Sequence, residues 1–177
     1  MFDQDIYLQA YRFAAEAHQG QTITGTDLPY IFHCGLVSME VAVALTAAPG
    51  YDGDLAVQCA LLHDTLEDTA VTHAEIQSRF GPKVADGVLA LTKDLALPKE
   101  VQMADSLRRI RRQPPEVWLV KLADRICNLQ PPPAHWTQAR IAQYRTEALE
   151  IHRSLKDASD LLAGRLRAKA EAYQQFQ

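Results

Sequence analysis

No stretch of this chain is apolar for long enough to span a membrane, and no basic-then-apolar pattern opens it. The expectation is a cytoplasmic protein without a membrane partner. A cationic surplus is missing too. The net charge is −4, which provides no general field for nucleic acid or anionic lipid, so a polyanionic ligand has to be held by a local cluster of cations. Cysteine is scarce: Cys34, Cys59 and Cys127 lie far apart among apolar residues, and no Cys-x-x-Cys occurs. That spacing excludes a disulfide framework and a zinc ribbon, and points to reduced, mostly buried thiols. Alternating β patterns, internal repeats and low-complexity linkers are also absent.

What is present reads as helix after helix. A chain of 177 residues with 47% hydrophobic and 23% charged residues suits one all-α domain over residues 1–177. Ile6, Ala10, Phe13, Ala14 and Ala17 recur at helical spacing and predict a helix from Asp5 to His18. A Thr-, Gly- and Asp-rich loop follows from Gly20 to Pro29, and a second helix runs from His33 to Ala47. Asp54 is placed to cap a third, apolar helix. Thr72 to Glu75 forms a capping box for a short helix to Phe80. Further helices are expected from Lys83 to Leu91, Pro98 to Arg112, Glu116 to Leu129, Thr137 to Leu155 and Asp157 to Phe176. The last is amphipathic, suited to capping the core or to self-association. The cluster Arg108, Arg109, Arg111 and Arg112 reads as a solvated helix end, and His18, His73, His135 and His152 as structural or exposed.

The most informative run is Leu61-Leu62-His63-Asp64-Thr65-Leu66-Glu67-Asp68-Thr69. Asp64, Glu67 and Asp68 stand at i, i+3 and i+4, which predicts one shared face near the C-terminus of the third helix. Carboxylates so placed repel one another and oppose the helix dipole, unless a cation neutralises them. A bare acidic cluster can be merely solvated. Here an apolar helix leads directly into it, and His63 adds an imidazole suited to a divalent transition metal. One helix end cannot enclose an ion. His33, at the start of an apolar helix, and Asp124, late in Val117-Trp118-Leu119-Val120-Lys121-Leu122-Ala123-Asp124, are the candidates to complete the shell with two nitrogens and two oxygens.

Taken together these segments resemble a known family. Ala17-His18-Gln19-Gly20-Gln21, Pro29-Tyr30-Ile31-Phe32-His33, the His63 to Thr69 run, Phe80-Gly81, Leu91-Thr92-Lys93 and Val120 to Arg125 with Asn128 occur in the order found in HD-superfamily metal phosphohydrolases. More narrowly, residues 5–150 or so are similar to the hydrolase domain of the RelA/SpoT alarmone enzymes and to stand-alone small alarmone hydrolases, with residues 156–177 outside the match. The resemblance implies a compact multi-helix HD-domain fold. It implies His33, His63, Asp64 and Asp124 as Mn2+ ligands, and Glu67 and Asp68 as the catalytic pair that activates and orients water. It also implies removal of the 3′-pyrophosphate from a nucleotide, (p)ppGpp or (pp)pApp. Alternatives are another HD-type nucleotidase or phosphodiesterase, or a non-catalytic nucleotide-binding regulator.

Substrate contacts follow from the same resemblance. Lys99 matches a phosphate-contacting lysine. Arg140 and Tyr144, four apart on one helix, match a phosphate clamp and an aromatic nucleotide contact. Asn128, one turn beyond Asp124, is placed to hydrogen-bond the ribose or a phosphate. The chain departs from the family's pattern where many members carry a basic pair before the first metal histidine. Thr22 and Ile23 stand there, Cys34 replaces the proline after that histidine, and Pro131-Pro132-Pro133 replaces a threonine beyond the asparagine. The cationic contacts to the base are thereby lost, which predicts no strong preference for guanine over adenine.

Overall fold

The computed structural model describes residues 1–177, all of it helix and loop apart from one isolated bridge between Thr22 and Pro29. Ten α-helices follow in order: α1 (Gln4–Ala17), α2 (Ile31–Ala47), α3 (Gly53–Leu62), α4 (Thr65–Asp68), α5 (His73–Phe80), α6 (Pro82–Leu91), α7 (Lys99–Ile110), α8 (Pro115–Asn128), α9 (Gln138–Leu155) and α10 (Asp160–Ala172). None is long and apolar enough to cross a membrane.

The centre of the fold is α8. It starts at Pro115, whose fixed φ suits a first helical position, and is buried almost throughout from Glu116 to Cys127. Around it pack α2, α3, α6, α9 and α10. Their apolar faces form one core of 38 residues, with Leu61, Leu62, Leu119, Leu122 and Ile126 among its most enclosed members. Helices α2 and α3 are apolar nearly all round, and each is covered on several sides rather than along one stripe.

Close approach sets one sequence requirement. A Cβ on Gly87 would lie 2.8 Å from Cys59 Sγ and 3.0 Å from Val117 Cγ2, so α6 sits against α3 and α8 only because residue 87 has no side chain. Gly87→Ala is expected to overpack this junction and cost about 1–3 kcal/mol, read as a lower urea midpoint.

Four local expectations need correction. The third helix is capped by Asp52, whose carboxylate accepts from Leu55 N at 3.1 Å; Asp54 instead lies in the first turn and accepts from Asp3 N at 2.7 Å. That helix stops at Leu62. His63 and Asp64 form a turn before the single-turn α4, so the three acids do not share one continuous helix face. The C-terminal segment is divided: residues Lys156–Ala158 and Tyr173–Phe176 are 3₁₀ turns on either side of α10, which Ser159 caps. Finally, Arg109 is not a solvated charge. Its guanidinium donates to the carbonyls of Leu89 (2.7 Å), Ala90 (3.0 Å) and Thr92 (2.7 Å), closing the C-terminus of α6. Arg108, Arg111 and Arg112 are exposed, as expected.

The capping box before α5 forms as read: Thr72 Oγ1 accepts from Glu75 N and Glu75 Oε2 accepts from Thr72 N. The C-terminal helix caps the core, since Leu162 and Leu166 are fully buried against it and Arg165 makes a two-pronged ion pair with the buried Glu40 of α2.

Candidate metal centre and the cleft above it

Three mutually packed helices, α2, α3 and α8, each deliver polar side chains to one point beneath the surface. His33 enters from the first turn of α2, His63 from the end of α3, Asp64 from the turn that follows, and Asp124 from one turn before the C-terminus of α8. His33 Nε2 and His63 Nε2 are 3.3 Å apart. Asp64 Oδ2 lies 2.8 Å from His63 Nε2 and 3.7 Å from His33 Nε2, so that all three ligand atoms fall within 4.8 Å of one another. Asp124 Oδ1 closes the far side, 3.5 Å from His33 Nε2 and 3.9 Å from His63 Nε2.

The hydrogen bonding fits a cation at the centre. His63 Nδ1 is 2.9 Å from the Ala60 carbonyl, which can only accept, so Nδ1 carries a proton and Nε2 is the nitrogen turned inward to meet an ion. Two imidazole nitrogens and two carboxylate oxygens facing one another is a donor set that a divalent first-row ion accepts. The carboxylate of Asp124 is held from outside: Lys121 Nζ donates to Oδ2 at 3.1 Å, and the Asn128 amide donates to Oδ1. The Asn128 side chain is therefore turned toward a ligand as well as lining the cleft.

In the metal-free protein, charge balance is reached with protons. Burial opposes a charged His63, but the adjacent Asp64 carboxylate, its hydrogen bond and Asp124 outweigh it and hold the imidazole up at about 9. Burial likewise opposes ionised Asp64, and His63 overcomes this to bring the carboxyl down to about 2. Asp124 is held well below the usual carboxylate range against burial, by Lys121 first and then by the histidines. An ion must displace the His63 proton to use Nε2. The apparent affinity for Mn2+ is therefore expected to rise steadily with pH up to about 9 and level off beyond it, with proton release that a weakly buffered calorimetric titration can count.

The acidic pair lies just outside this cluster, on α4. Glu67 is not the uncompensated acid the sequence suggests. Its Oε1 accepts from Lys93 Nζ at 2.7 Å and its Oε2 from Lys93 N at 3.0 Å. Asp68 is different: it is exposed, and no hydrogen bond contributes to its titration. Partial burial raises its carboxyl above the usual range, and the Asp64 and Glu67 charges raise it further.

A cleft of about 370 Å³ opens above the centre, between α4, α7, α8 and α9. His63, Asp64 and Asp124 form part of its floor, and Glu67 and Asp68 part of its wall. All four expected substrate contacts, Lys99, Asn128, Arg140 and Tyr144, line it. Lys99 is the first residue of α7, and Arg140 lies in the first turn of α9, where Thr137 caps its backbone N. Both cations thus stand at positive helix ends, a favourable place for an anion. The Arg140 guanidinium rests 4.3 Å above the Trp136 ring, and Trp136 meets Tyr144 edge-on at 5.1 Å.

Among the lining residues that sequence reasoning missed, two lie deep in the fold. Lys121 and Arg125 are both buried and both reach the cleft. Arg125 lies 4.2 Å over the Tyr144 ring and 3.4 Å from Glu147. The available signal was their spacing around Asp124 on a helix that is otherwise apolar, where a charge needs a partner. Lys93, Lys121 and Arg125 are each engaged by a carboxylate, which leaves Lys99 and Arg140 as the cleft's uncommitted cations.

Comparison with known proteins agrees with this geometry. A guanosine-3′,5′-bis(diphosphate) 3′-pyrophosphohydrolase MESH1 from Xenopus tropicalis is 34% identical over 169 residues, covering 93% of this chain and 92% of that one. A guanosine-3′,5′-bis(diphosphate) 3′-pyrophosphohydrolase from Aquifex aeolicus is 39% identical over 125 residues, or 69% of this chain and 17% of that longer protein. A solved structure of a metazoan ortholog of SpoT, described as hydrolysing ppGpp and playing a role in starvation responses, matches 100% of this chain and 99% of its own, with a TM-score of 0.84 and 25% identity. The family model for the HD domain matches residues 10–161, and the chain belongs to the HD domain family.

Proposed function

We propose that this chain, as one domain over residues 1–177, is a Mn2+-dependent hydrolase that removes the 3′-pyrophosphate from alarmone nucleotides, (p)ppGpp or (pp)pApp. The observation that carries the reading is the placement of an unpaired carboxylate, Asp68, beside four convergent His and Asp ligands at the floor of a cleft whose free cations are Lys99 and Arg140. The pyrophosphohydrolase relatives that span nearly the whole chain support the substrate class.

His33, His63, Asp64 and Asp124 would hold the ion. When bound, a divalent ion supplies Lewis acidity toward a phosphoryl oxygen and lowers the pKa of a coordinated water. Asp68 accepts the proton of the attacking water, for which its raised carboxyl is suited. Glu67, fixed at both oxygens by Lys93, orients that water rather than taking its proton. Lys99 and Arg140 hold the phosphate oxygens, and Tyr144 offers an aromatic edge to the nucleoside. Water oxygen bonds to the phosphorus on the ribose 3′-oxygen, and the P–O bond to the ribose breaks. The departing 3′-oxygen takes up one proton from solvent, in balance with the one passed to Asp68, and a nucleotide with a free 3′-hydroxyl and pyrophosphate leave. A regulator that only binds nucleotide has no use for an unpaired acid beside the ligands, and Asp68 weighs against that reading.

A Mn2+-supplemented screen of guanosine and adenosine 3′-pyrophosphates beside ordinary nucleotides, with pyrophosphate as the readout, tests the assignment. Release of orthophosphate from ordinary nucleotides alone would point to a nucleotidase, and tight binding without turnover to a regulator. Specificity carries its own prediction. Apart from Tyr30, no residue of the 20–30 segment lines the cleft, and Thr22 and Ile23 offer no cation to stack on a base. The two purine 3′-pyrophosphates are expected to differ in kcat/KM by less than about tenfold, or about 1.4 kcal/mol, in a direct competition assay. A ratio of a hundred in favour of guanosine would refute it.

A further inference from the structure

Tyr30 stands at the edge of the centre without belonging to the ligand set. Its hydroxyl donates to Asp64 Oδ2 at 2.6 Å, the same oxygen that faces both histidines. A carboxylate oxygen has two lone pairs, so one can receive the phenol while the other is directed at an ion. Asp64 has special need of such support. It is the N-cap of the single-turn α4, yet its side chain accepts no capping hydrogen bond from that helix, so its carboxylate has to be fixed from elsewhere.

Tyr30 is itself held from behind. Its ring lies against His18, with centroids 4.8 Å apart and planes 34° from parallel. His18 is 3% exposed at the C-cap of α1. Its Nδ1 is 2.7 Å from Gln21 Oε1, an oxygen that only accepts, so Nδ1 carries the proton and the ring has one tautomer. The loop that joins these residues is closed on itself. Tyr30 N donates to Gln21 O at 2.9 Å, and Ile23 N donates to Leu28 O at 2.9 Å. Gln21 thus ties both ends together, its side chain to His18 and its carbonyl to Tyr30. His18 Nε2 is buried and makes no hydrogen bond, and so contributes an aromatic face rather than a polar contact.

We infer that Tyr30 is a positioning residue that fixes the Asp64 carboxylate for the metal, with His18 and Gln21 as the clasp that holds the phenol in place. The inference rests on the metal-centre reading above. It gives Asp64 an outer partner to match the two, Lys121 and Asn128, that hold Asp124, so that each metal carboxylate is steered by a protein donor.

The experiment is a Mn2+ titration of the purified chain, with free ion counted by electron paramagnetic resonance, on wild type, Tyr30→Phe and His18→Ala. Tyr30→Phe keeps the ring and removes only the hydroxyl. It is expected to weaken Mn2+ binding about 10–100-fold. The thermal midpoint of the metal-free protein should stay within a few degrees of wild type. At saturating Mn2+ most of kcat should return with KM nearly unchanged. His18→Ala keeps the hydroxyl but frees the ring, and should weaken binding in the same direction by a smaller factor. Wild-type affinity in Tyr30→Phe would overturn the inference while leaving the metal reading intact. So would a loss of metal-free stability in both variants large enough to account for the weaker binding. If wild type itself binds no Mn2+, the functional reading fails first and this inference with it.

Discussion

Asp68→Asn is expected to lower kcat by about 10²–10⁴-fold, the usual contribution of a positioned general base, while Mn2+ content stays at the wild-type level. The variant keeps the shape of the side chain and removes only its capacity to accept a proton. Asp68 lies on α4, beyond the turn that carries Asp64, and its carboxyl depends on no hydrogen bond. Nothing in the packing has to change when it becomes an amide. Glu67→Gln gives a useful contrast. It weakens the grip of Lys93 on Glu67 as well as altering the acid, so its loss of activity should come with a shift in Lys93 that Asp68→Asn does not produce. Quantifying bound metal beside single-turnover rates checks both. Loss of metal in parallel with activity in Asp68→Asn would place that carboxylate inside the coordination shell.

His63→Ala is expected to abolish Mn2+ binding, with a fall larger than the roughly 100-fold upper figure for outer partners, and to remove a defined pH dependence of metal-free stability that the wild type carries. His63 is 3% exposed and its pKa is raised above the unfolded value of 6.5 to about 9. A raised folded pKa contributes stability that is fully present below 6.5 and disappears as pH climbs through about 9. Below 6.5 wild type should therefore exceed His63→Ala by a cost of the order of 3–5 kcal/mol, that of leaving buried charges without their partner. Near pH 10 the gap should narrow to the cost of the lost packing alone. Urea midpoints in chelator at both ends of this range decide it, and an equal gap at both would show that His63 acts through packing instead of charge.

Much of the architecture could be read from residue order, because it depends on apolar periodicity and on local chemistry. The helices from α5 to α9 and the Thr72 capping box follow from patterns contained within each segment. The approach of His33, His63, Asp64 and Asp124 was foreseeable for a related reason: each lies at the end of a helix apolar enough to be buried, and buried polar groups must meet. What escaped was decided between segments. The helix break at His63 leaves no mark in the hydrophobic pattern, which continues through Leu66. The compensation of Glu67 comes from Lys93, 26 residues away, and the capping of α6 by Arg109 joins residues 17 to 20 apart. Asp52 and Asp54 are both acceptable caps by type, and what distinguishes them is Asp3, 51 residues away in the chain, whose backbone N–H occupies Asp54.

The break between α3 and α4 has a consequence for how such a protein can diversify. In an unbroken helix, Asp64, Glu67 and Asp68 would rise and turn as one rigid rod, and any adjustment to one would disturb the others. The two-residue turn changes this, because Asp64 becomes the N-cap of α4 rather than a residue of α3. On the proposed reading, His63 would seat an ion on the core at the end of α3, while α4 would carry Glu67 and Asp68 against α6, joined to Asp64 by the bond from Asp68 N to Asp64 O. On that same reading, substitutions at Glu67 or Asp68 would re-aim the attack toward a differently shaped phosphate ester while His63, on the α3 side of the turn, keeps its place.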